Sequence, residues 1–365
     1  MDRKKQAKVG MKEGFRYYFL CFLLLFFPLL FSSDCRPKNK PPFFSSQQPY
    51  YAYFSPQDSL YAHLVRLIQE AEKSIYAAFY KLELKEISDA LLEAHERGVE
   101  VKIFADDTAS RGEKSRLDSL NKFFPVKTDK DPDSFMHHKF CVIDGEIVWT
   151  GSFNPTYSGF SRENNNAVVI MSSLVAAQFI KEFERLWEEE PLSLDLNLNL
   201  NLNLNLNLNL NLNFNPLLLE GGISVYFSLH HNPEEAILQS LEKAKESIYF
   251  ALFTFTSQEI AQAIIHKFAE NIEIKGILEK NQDGPFSRYH SLKRLRVPVR
   301  WDRNFYFMHH KFFIIDQKIV ITGSFNPTWS ANYRNRENLI IIYSPSLASQ
   351  YEEEFNRLWK ESGFD

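Results

Sequence analysis

Two stretches of the chain carry the same histidine, lysine, aspartate, serine and asparagine residues at the same spacing. They are FMHHKFCVIDGEIVWTGSFNPT, which begins at Phe135, and FMHHKFFIIDQKIVITGSFNPT, which begins at Phe307, and 17 of their 22 positions are identical. A lysine with two neutral hydrogen-bond donors suits the oxygens of a phosphate group. An imidazole can serve near neutral pH as a nucleophile or as a general acid and base. The doubled pattern therefore predicts phosphate chemistry at a site with two histidines.

The apolar residues that follow each lysine predict a strand, in which neighbouring side chains point to opposite faces. His137 and Lys139 then share one face, and His138 points to the other. The first histidine of each pair is thus predicted to belong to the site, and the second is not. The corresponding residues of the second copy are His309, Lys311 and His310.

The dipeptide Asp144-Gly145 is typical of a tight hairpin turn. After such a turn the chain returns beside the first strand and brings Ser152 and Asn154 to the start of the hairpin. There, both side chains are expected to bind phosphate oxygens. For Asp144 itself, a role in forming the turn and a direct role in catalysis both remain open. The second copy supplies Asp316, Ser324 and Asn326 at the same positions.

Two similar halves that meet face to face would place the two histidines on opposite sides of one phosphate. One histidine would attack phosphorus, and the other would protonate the leaving oxygen and later activate water. Lys139 and Lys311 would hold the charge on the phosphoryl oxygens, so we expect neither a metal ion nor another cofactor. Glu163 and Glu337 each precede a predicted strand and are candidates to orient the histidines through their second ring nitrogens.

The pattern His-x-Lys-x4-Asp-x6-Gly-Ser-x-Asn, complete in both copies, resembles the signature of the phospholipase D superfamily. The resemblance implies metal-independent cleavage of a phosphodiester through a phosphohistidine, with His137 as the nucleophile and His309 as the acid and base. It also implies supporting roles for Asp144 and Asp316, which we group with the catalytic residues. The motif sequences MHHKF and GSFN are similar to those of a compact, nuclease-like branch of the superfamily, whose members usually carry one motif and dimerise. Because this chain carries both motifs, dimerisation is not expected to be required.

The similarity between the copies extends well beyond the two motifs. AEKSIYAAFY at Ala71 pairs with AKESIYFALF at Ala244, and EFERLWEE at Glu182 pairs with EFNRLWKE at Glu354, so the offset stays near 173 residues. Such a repeat indicates an internal duplication. Apolar periodicity in the first half predicts strands at Ser74–Tyr80, Val99–Ala105 and Asn166–Met171 and helices at Glu86–Arg97 and Ser173–Glu190. The expected fold is α/β, with two duplicated sandwich halves packed about a pseudo-twofold axis around one shared active site.

We place the first half at residues 48–190 and the second at 220–365. The linker at 191–219 contains nine Leu-Asn pairs, a low-complexity repeat to which we assign no function. Residues 1–34 combine six basic residues with the apolar run Tyr17–Phe31, which is typical of a secretory signal or an N-terminal membrane anchor. We therefore expect an exported protein. Its three cysteines, Cys21, Cys35 and Cys141, form no disulfide framework.

The substrate is less clear from the sequence than the reaction. A net charge of -4 argues against binding nucleic acid by bulk electrostatics and favours phospholipid. The basic stretch Ser287–Arg303 would guide a polyanionic substrate or a lipid headgroup, or it is an ordinary helix followed by a strand. Tyr289, Trp301 and Tyr306 would then stack on bases. We expect a phospholipase D-type enzyme that releases phosphatidic acid. The alternatives are an exported nuclease, an inactive lipid- or nucleic-acid-binding protein and, more weakly, a lipid synthase.

Overall fold

The computed structural model describes residues 49–188 and 222–362. The first part contains β1 (Tyr50–Ser55), α1 (Leu60–Glu70), β2 (Ser74–Phe79), α2 (Lys85–Glu96), β3 (Glu100–Ala105), α3 (Leu117–Leu120), β4 (Val126–Thr128), β5 (Lys139–Ile143), β6 (Ile147–Gly151), α4 (Tyr157–Ser161), β7 (Asn165–Met171) and α5 (Ser173–Trp187). The predicted leader and the Leu-Asn repeat lie outside the described residues.

The second part repeats this order. It contains β8 (Ile223–Phe227), α6 (Pro233–Glu242), β9 (Ser247–Leu252), α7 (Gln258–Ala269), β10 (Glu273–Leu278), a 3-10 turn (Lys280–Gln282), α8 (Tyr289–Arg294), β11 (Val299–Trp301), β12 (Lys311–Ile315), β13 (Ile319–Gly323), α9 (Trp329–Tyr333), β14 (Asn338–Tyr343) and α10 (Pro345–Ser362). Within the described ranges, no helix is long and apolar enough to cross a membrane.

Each half folds around one mixed sheet of seven strands. The first sheet has the order β1-β7-β6-β5-β2-β3-β4, and the second has the matching order β8-β14-β13-β12-β9-β10-β11. In the first sheet β2, β3 and β4 are parallel, whereas β2, β5, β6, β7 and β1 pair antiparallel. The identical topology confirms the predicted duplicated α/β fold.

The central strands are apolar on both faces because each face has its own cover. In β9, Tyr249 and Ala251 belong to one buried cluster, and the alternating residues Ile248, Phe250 and Leu252 belong to another. The second cluster contains side chains from α6 and α7, which cover the outer face of this sheet. The strand therefore contributes to two cores at once.

The cluster on the inner face joins the two halves. It includes Phe140 and Phe179 from the first half and Phe227, Phe312 and Tyr351 from the second, all at most 2% exposed. Helix α5 packs on its own sheet and reaches β8, while α10 packs on its sheet and reaches β1. Each large apolar side chain buried here contributes about 1.5–3 kcal/mol. The halves thus share one core, which fixes the two motifs relative to each other.

The elements predicted from the first half agree closely with the structure. Strands β2, β3 and β7 differ from the predicted bounds by one residue at one end, and helix α2 by one residue at each end. Helix α5 begins at Ser173 as predicted and ends at Trp187 rather than at Glu190. Alternation and helical periodicity were sufficient here because each element buries one or two continuous apolar faces.

Candidate active site

Short backbone bridges between the halves bring the two histidines together. The His137 amide donates to the carbonyl of Arg336 (2.9 Å), and the Arg336 amide donates to the carbonyl of Phe135 (2.8 Å). The same pair of bonds joins His309 and Phe307 to Asn164, each at 2.9 Å. Each histidine is therefore held by the segment that leads into the last strand of the other half.

A hairpin in each half returns the serine and asparagine to the neighbourhood of the lysine. Cys141 pairs with Trp149 across β5 and β6, a register that sets Lys139 opposite Gly151. Gly151 has φ 151°, and a Cβ there would lie 2.4 Å from the carbonyl oxygen of Asn166. A side chain at this position would push β6 and β7 apart, which explains the glycine before each serine.

The two histidines have different partners on their Nδ1 atoms. His137 Nδ1 lies 2.8 Å from Oε2 of Glu337, and His309 Nδ1 lies 2.8 Å from Oδ1 of Asn165. Both partners come from the opposite half, so each ring is held across the interface. Since a neutral or charged imidazole donates from Nδ1 to these oxygens, the Nε2 atoms are left for substrate.

Glu163 does not occupy the position that the sequence analysis gave it. Asn165, not Glu163, is the counterpart of Glu337, and Glu163 Oε2 accepts a hydrogen bond of 3.2 Å from the Asn165 side chain. Glu163 therefore contacts the residue that holds His309, not His309 itself. The constant offset of 172 residues between the two histidines also relates Asn165 to Glu337, and this signal in the sequence identifies the pair.

The two serines are buried and hold these partners. Ser152 Oγ donates to Asn165 Oδ1 at 3.0 Å, and Ser324 Oγ donates to Glu337 Oε2 at 2.7 Å. Both hydroxyls are 0% exposed and also accept a backbone amide hydrogen from the following strand. This corrects the prediction that the serines bind phosphate: they position the groups that orient the histidines.

The asparagines remain candidates for binding phosphate oxygens. Among the described residues, Asn154 makes no side-chain hydrogen bond, and its buried Oδ1 has no partner. Asn326 Oδ1 accepts from the amide of Thr254 at 3.4 Å, which leaves its amide nitrogen unused within the described residues. Side-chain amides in this condition can donate to an anion.

Asp144 and Asp316 lie at the far ends of β5 and β12, away from the lysines. Asp144 accepts hydrogen bonds from three consecutive backbone amides, those of residues 72–74, and Asp316 does the same with residues 245–247. Both residues have positive φ, 55° and 52°, as a tight turn requires. Grouping them with the catalytic residues was wrong, because they tie each hairpin to the start of the central strand.

The second histidine of each pair faces away from the site and joins the halves. His138 is 0% exposed and lies between Glu182 (3.3 Å) and Asn338 (3.4 Å) of the other half. His310 lies likewise between Glu354 (3.0 Å) and Asn166 (3.1 Å). The alternation of a strand separates the neighbours as predicted.

Two pairs of residues near the site were missed by the sequence analysis. Asp106 and Glu279 each accept a hydrogen bond from the methionine amide just before the reactive histidine, at 3.0 and 2.7 Å. Tyr80 and Phe253 pack edge-on against His137 and His309, with ring centroids 4.7 and 4.6 Å apart. The offset of 173 residues between the copies already pairs Asp106 with Glu279, so the duplication was the available signal.

Comparisons with known proteins agree with this geometry. The family model described as "Cardiolipin synthase, PLD-like domain" matches residues 64–187 and again 237–359. The chain belongs to the phospholipase D superfamily. A mitochondrial cardiolipin hydrolase of Xenopus laevis is 33% identical over 126 residues, 34% of this chain and 60% of that protein. A phospholipase D of Rickettsia typhi is 36% identical over 137 residues, 37% of this chain and 67% of that protein.

These curated relatives are matched over only about 60 to 67% of their length, and the match spans about a third of this chain. A solved structure of phosphatidylserine synthase from Haemophilus influenzae aligns over 86% of this chain and 87% of its own, with a TM-score of 0.61 at 12% identity. At that identity the likeness concerns the fold alone. It nevertheless extends the shared fold across both phospholipase D-like halves.

The site of this superfamily member concentrates positive charge away from water. Lys139 and Lys311 are at most 2% exposed, and each ammonium donates to the carbonyl of its own histidine, at 2.7 and 2.8 Å. Burial lowers the pKa of Lys139 to about 7. Burial, followed by repulsion from Lys139, lowers the pKa of Lys311 well below its usual value. Both effects disfavour cations that lack a nearby anion.

The histidines and their one carboxylate respond to the same surroundings. Burial first, and then the two lysine charges, lower the pKa of His137 and of His309 well below the usual value. Burial raises the pKa of Glu337 to about 7 despite the neighbouring Lys139. The substrate-free histidines are therefore neutral near pH 7, and an anion between the lysines would raise the pKa of each cationic group.

The basic stretch before the second motif is largely used for packing. Tyr289 is 5% exposed and stacks on Trp301 with centroids 3.7 Å apart, and the Arg300 guanidinium lies 3.9 Å from the Trp359 ring. Arg288 donates to the carbonyl of Thr256. The stretch forms α8 and β11, so Tyr289 and Trp301 follow the ordinary helix-and-strand interpretation. Tyr306, the third residue predicted to stack on bases, is 38% exposed.

A group of three carboxylates lies beside the first half of the site. Oxygens of Asp106, Asp107 and Asp129 are within 4.8 Å of one another. Asp106 accepts from the amides of Ala109 and Met136, and Asp129 accepts from that of Asp107. These backbone bonds give the carboxylates a structural role in holding the loop before His137.

Proposed function

We propose that this protein hydrolyses the phosphodiester bond of a phospholipid, releasing phosphatidic acid and an alcohol. The observation that carries the proposal is the pair of oriented rings, His137 on Glu337 and His309 on Asn165, at a site with two buried lysines. Two histidines with free Nε2 atoms, and two lysines that a phosphate anion would hold in the charged form, suit in-line displacement at phosphorus.

In the proposed reaction, Nε2 of His137 attacks phosphorus and the bond from phosphorus to the alcohol oxygen breaks. The bound phosphate anion raises the pKa of His309, so the ring takes up a proton at Nε2, gives it to that oxygen, and the alcohol leaves. Water then loses a proton to His309 and attacks phosphorus, which breaks the bond to His137 and releases phosphatidic acid. The lysines stabilise the phosphoryl oxygens throughout, and Asn154 and Asn326 add neutral donors.

The unequal ring partners support His137 as the nucleophile. A phosphorylated imidazole that keeps its Nδ1 proton is a cation, and the carboxylate of Glu337 stabilises that charge. His309 needs only a fixed tautomer from which to deliver and collect a proton, and the neutral amide of Asn165 provides it. No such distinction was available from the identical motifs.

Two observations favour a phospholipid over nucleic acid. The relatives named above are a cardiolipin hydrolase and a phospholipase D. Tyr289 and Trp301, two of the three aromatic residues predicted to stack on bases, are packed against each other instead. We also propose that the protein acts outside the cytoplasm, because a basic segment and a 15-residue apolar run open the sequence.

The test is turnover by the full chain in EDTA, with vesicles of phosphatidylcholine, phosphatidylglycerol or cardiolipin and with single-stranded DNA in parallel. We expect phosphatidic acid from at least one lipid, no DNA cleavage, and loss of product in both His137→Asn and His309→Asn. Inhibition by EDTA would contradict the metal-free mechanism. DNA cleavage that depends on both histidines would replace the lipid by nucleic acid at the same site.

A further inference from the structure

Exposed aromatic side chains flank both ends of the site. They include Phe305 (89%), Trp329 (63%), Tyr157 (58%), Tyr333 (53%) and Tyr306 (38%), which we call the aromatic rim. Tyr157 and Trp329 begin α4 and α9, three residues after the phosphate-binding candidates Asn154 and Asn326. Phe305 and Tyr306 lie four and three residues before His309. Four of the five rim residues therefore lie within four residues, along the chain, of a histidine or an asparagine of the site.

Arginines are interleaved with the rim on both sides. The guanidinium of Arg162 lies between two rings, 5.2 Å from the centre of Tyr157 and 4.8 Å from that of Tyr306. Arg334 lies 6.0 Å from the centre of Trp329, which in turn contacts Tyr333 at 5.7 Å. Both arginines are exposed. Each end of the site thus pairs aromatic rings with a cation that can reach phosphate.

The rim is held in place rather than being a loose loop. Asn304 donates to the carbonyl of Arg162 (2.9 Å) and to the side chain of Asn164 (2.7 Å), and it accepts from the amide of Tyr306 (2.9 Å). These bonds tie the Phe305–Phe307 segment of the second half to the first half. The exposure of Phe305 is consequently a fixed property of the surface, and exposed aromatic patches of this kind mark interaction sites.

We propose that the aromatic rim docks on the surface of a bilayer that contains anionic phospholipid. This rests on the proposed function, since it supplies the route by which a lipid headgroup reaches the histidines. Aromatic side chains and arginines are favoured in the headgroup region of a bilayer. The rings lie at the boundary with the acyl chains, and the guanidinium groups lie at the lipid phosphates. Nucleic acid fits less well, because Arg162 already lies against two of the rings that would stack on bases.

Trp329 permits a direct test, because it is the most exposed of the five tryptophans in the sequence. The full chain is mixed with vesicles of brominated phosphatidylcholine, with or without phosphatidylglycerol, and tryptophan quenching is measured. We expect stronger quenching when phosphatidylglycerol is present and no quenching in Trp329→Phe. In Phe305→Ser the apparent affinity of the protein for the vesicles should fall about tenfold. Since the N-terminal segment is present throughout, membrane attachment by that segment alone cannot produce these differences.

A matched control removes an aromatic residue of similar exposure elsewhere. Tyr343 is 55% exposed and ends β14, at the opposite end of that strand from Asn338, so Tyr343→Ser should leave quenching unchanged. Quenching that is equal in the wild type and Trp329→Phe, or a Phe305→Ser effect no larger than that of Tyr343→Ser, would overturn the proposal. Protection of Trp329 by single-stranded DNA without quenching by vesicles would also overturn it, in favour of a nucleic-acid surface.

The same measurements in a His137→Asn background separate this proposal from the proposed function. Docking requires no turnover, so quenching should persist in that variant. If wild-type protein is quenched but releases no phosphatidic acid, docking stands and the substrate assignment fails. If lipid is hydrolysed without Trp329 quenching, the enzyme assignment stands and the rim does not dock.

Discussion

The two halves of the molecule are nearly equivalent in fold but differ at the residue that holds the reactive ring. In one, the carboxylate of Glu337 lies 2.8 Å from His137; in the other, the amide of Asn165 lies 2.8 Å from His309. Distances, serine contacts and backbone bridges match on both sides. A duplicated scaffold can therefore give its two histidines different chemistry by changing one side chain.

The difference is electrostatic rather than geometric. A carboxylate stabilises a cationic ring in a buried site far more than an amide does, because the low effective dielectric strengthens the interaction. The nucleophile is the ring that must carry positive charge through the covalent intermediate, whereas the acid and base returns to neutrality each time it gives up its proton. The comparison predicts unequal responses from equivalent substitutions.

The largest effect is expected when a reactive histidine is removed. With phospholipid, both His137→Asn and His309→Asn should lose about 10³-fold or more in kcat. With a phosphodiester that carries a nitrophenol leaving group, the general acid is no longer needed, so His309→Asn should still form a labelled phosphoenzyme and His137→Asn should not. Acid-quench trapping of the label makes the measurement. A phosphoenzyme in His137→Asn alone would exchange the two roles.

The next largest effect concerns the ring partners themselves. Glu337→Gln keeps the hydrogen-bond geometry but removes the charge, and we expect kcat to fall roughly 10²- to 10³-fold. Asn165→Ala should lower kcat only about tenfold, because it removes only the hydrogen bond that fixes the tautomer of His309. Steady-state kinetics on one soluble phosphodiester compares them directly.

Asn165→Asp provides the matched control, because it restores a carboxylate to the second half. The added charge would raise the pKa of His309, so the pH at which kcat declines on the alkaline side should move upward. An unchanged pH profile, or equal losses in Glu337→Gln and Asn165→Ala, would remove the proposed difference between the halves.

The sequence predicted the fold, the duplication and the separation of His137 from His138, since each depends on local periodicity or repetition. It named Glu337 as an orienting residue but missed Asn165, because both residues reach the histidines across the interface between halves. The sequence Arg-Glu-Asn occurs around both Glu163 and Glu337 and suggested that these two residues are equivalent. They are two residues out of register, because the offset between the copies is 172 here. Such contacts depend on how the two halves pack together, which cannot be predicted from the sequence of a single segment.

A smaller effect is expected from the lysines. Lys139 has its pKa lowered to about 7 by burial, so its charge is present below pH 7 and is lost as the pH rises through that value. The histidines stay neutral in this range because their pKa values are lowered well below the usual value. Sulfate, whose charge is constant, should therefore inhibit roughly tenfold more weakly at pH 8.5 than at pH 6.5.

Lys139→Met tests whether that lysine is responsible. The variant should bind sulfate weakly at both pH values and keep only the dependence on pH that comes from Glu337, whose pKa is also about 7. If Lys311→Met abolished the pH dependence and Lys139→Met retained it, the second half would hold the titrating lysine. A wild-type inhibition constant that does not change between these pH values would contradict the lowered pKa.

The smallest effect on activity is expected where the two halves are most alike. Asp144 and Asp316 each accept three backbone amides at the far end of a hairpin, so Asp144→Asn and Asp316→Asn should each lower the free energy of unfolding by about 1–3 kcal/mol. Neither should change kcat by more than about twofold, because neither side chain lies near the histidines. Urea denaturation and steady-state kinetics on the same preparations measure both quantities. A large loss of kcat without loss of stability would show that the aspartates take part in catalysis. Unequal losses of stability would show that the two halves also differ in how their hairpins are held.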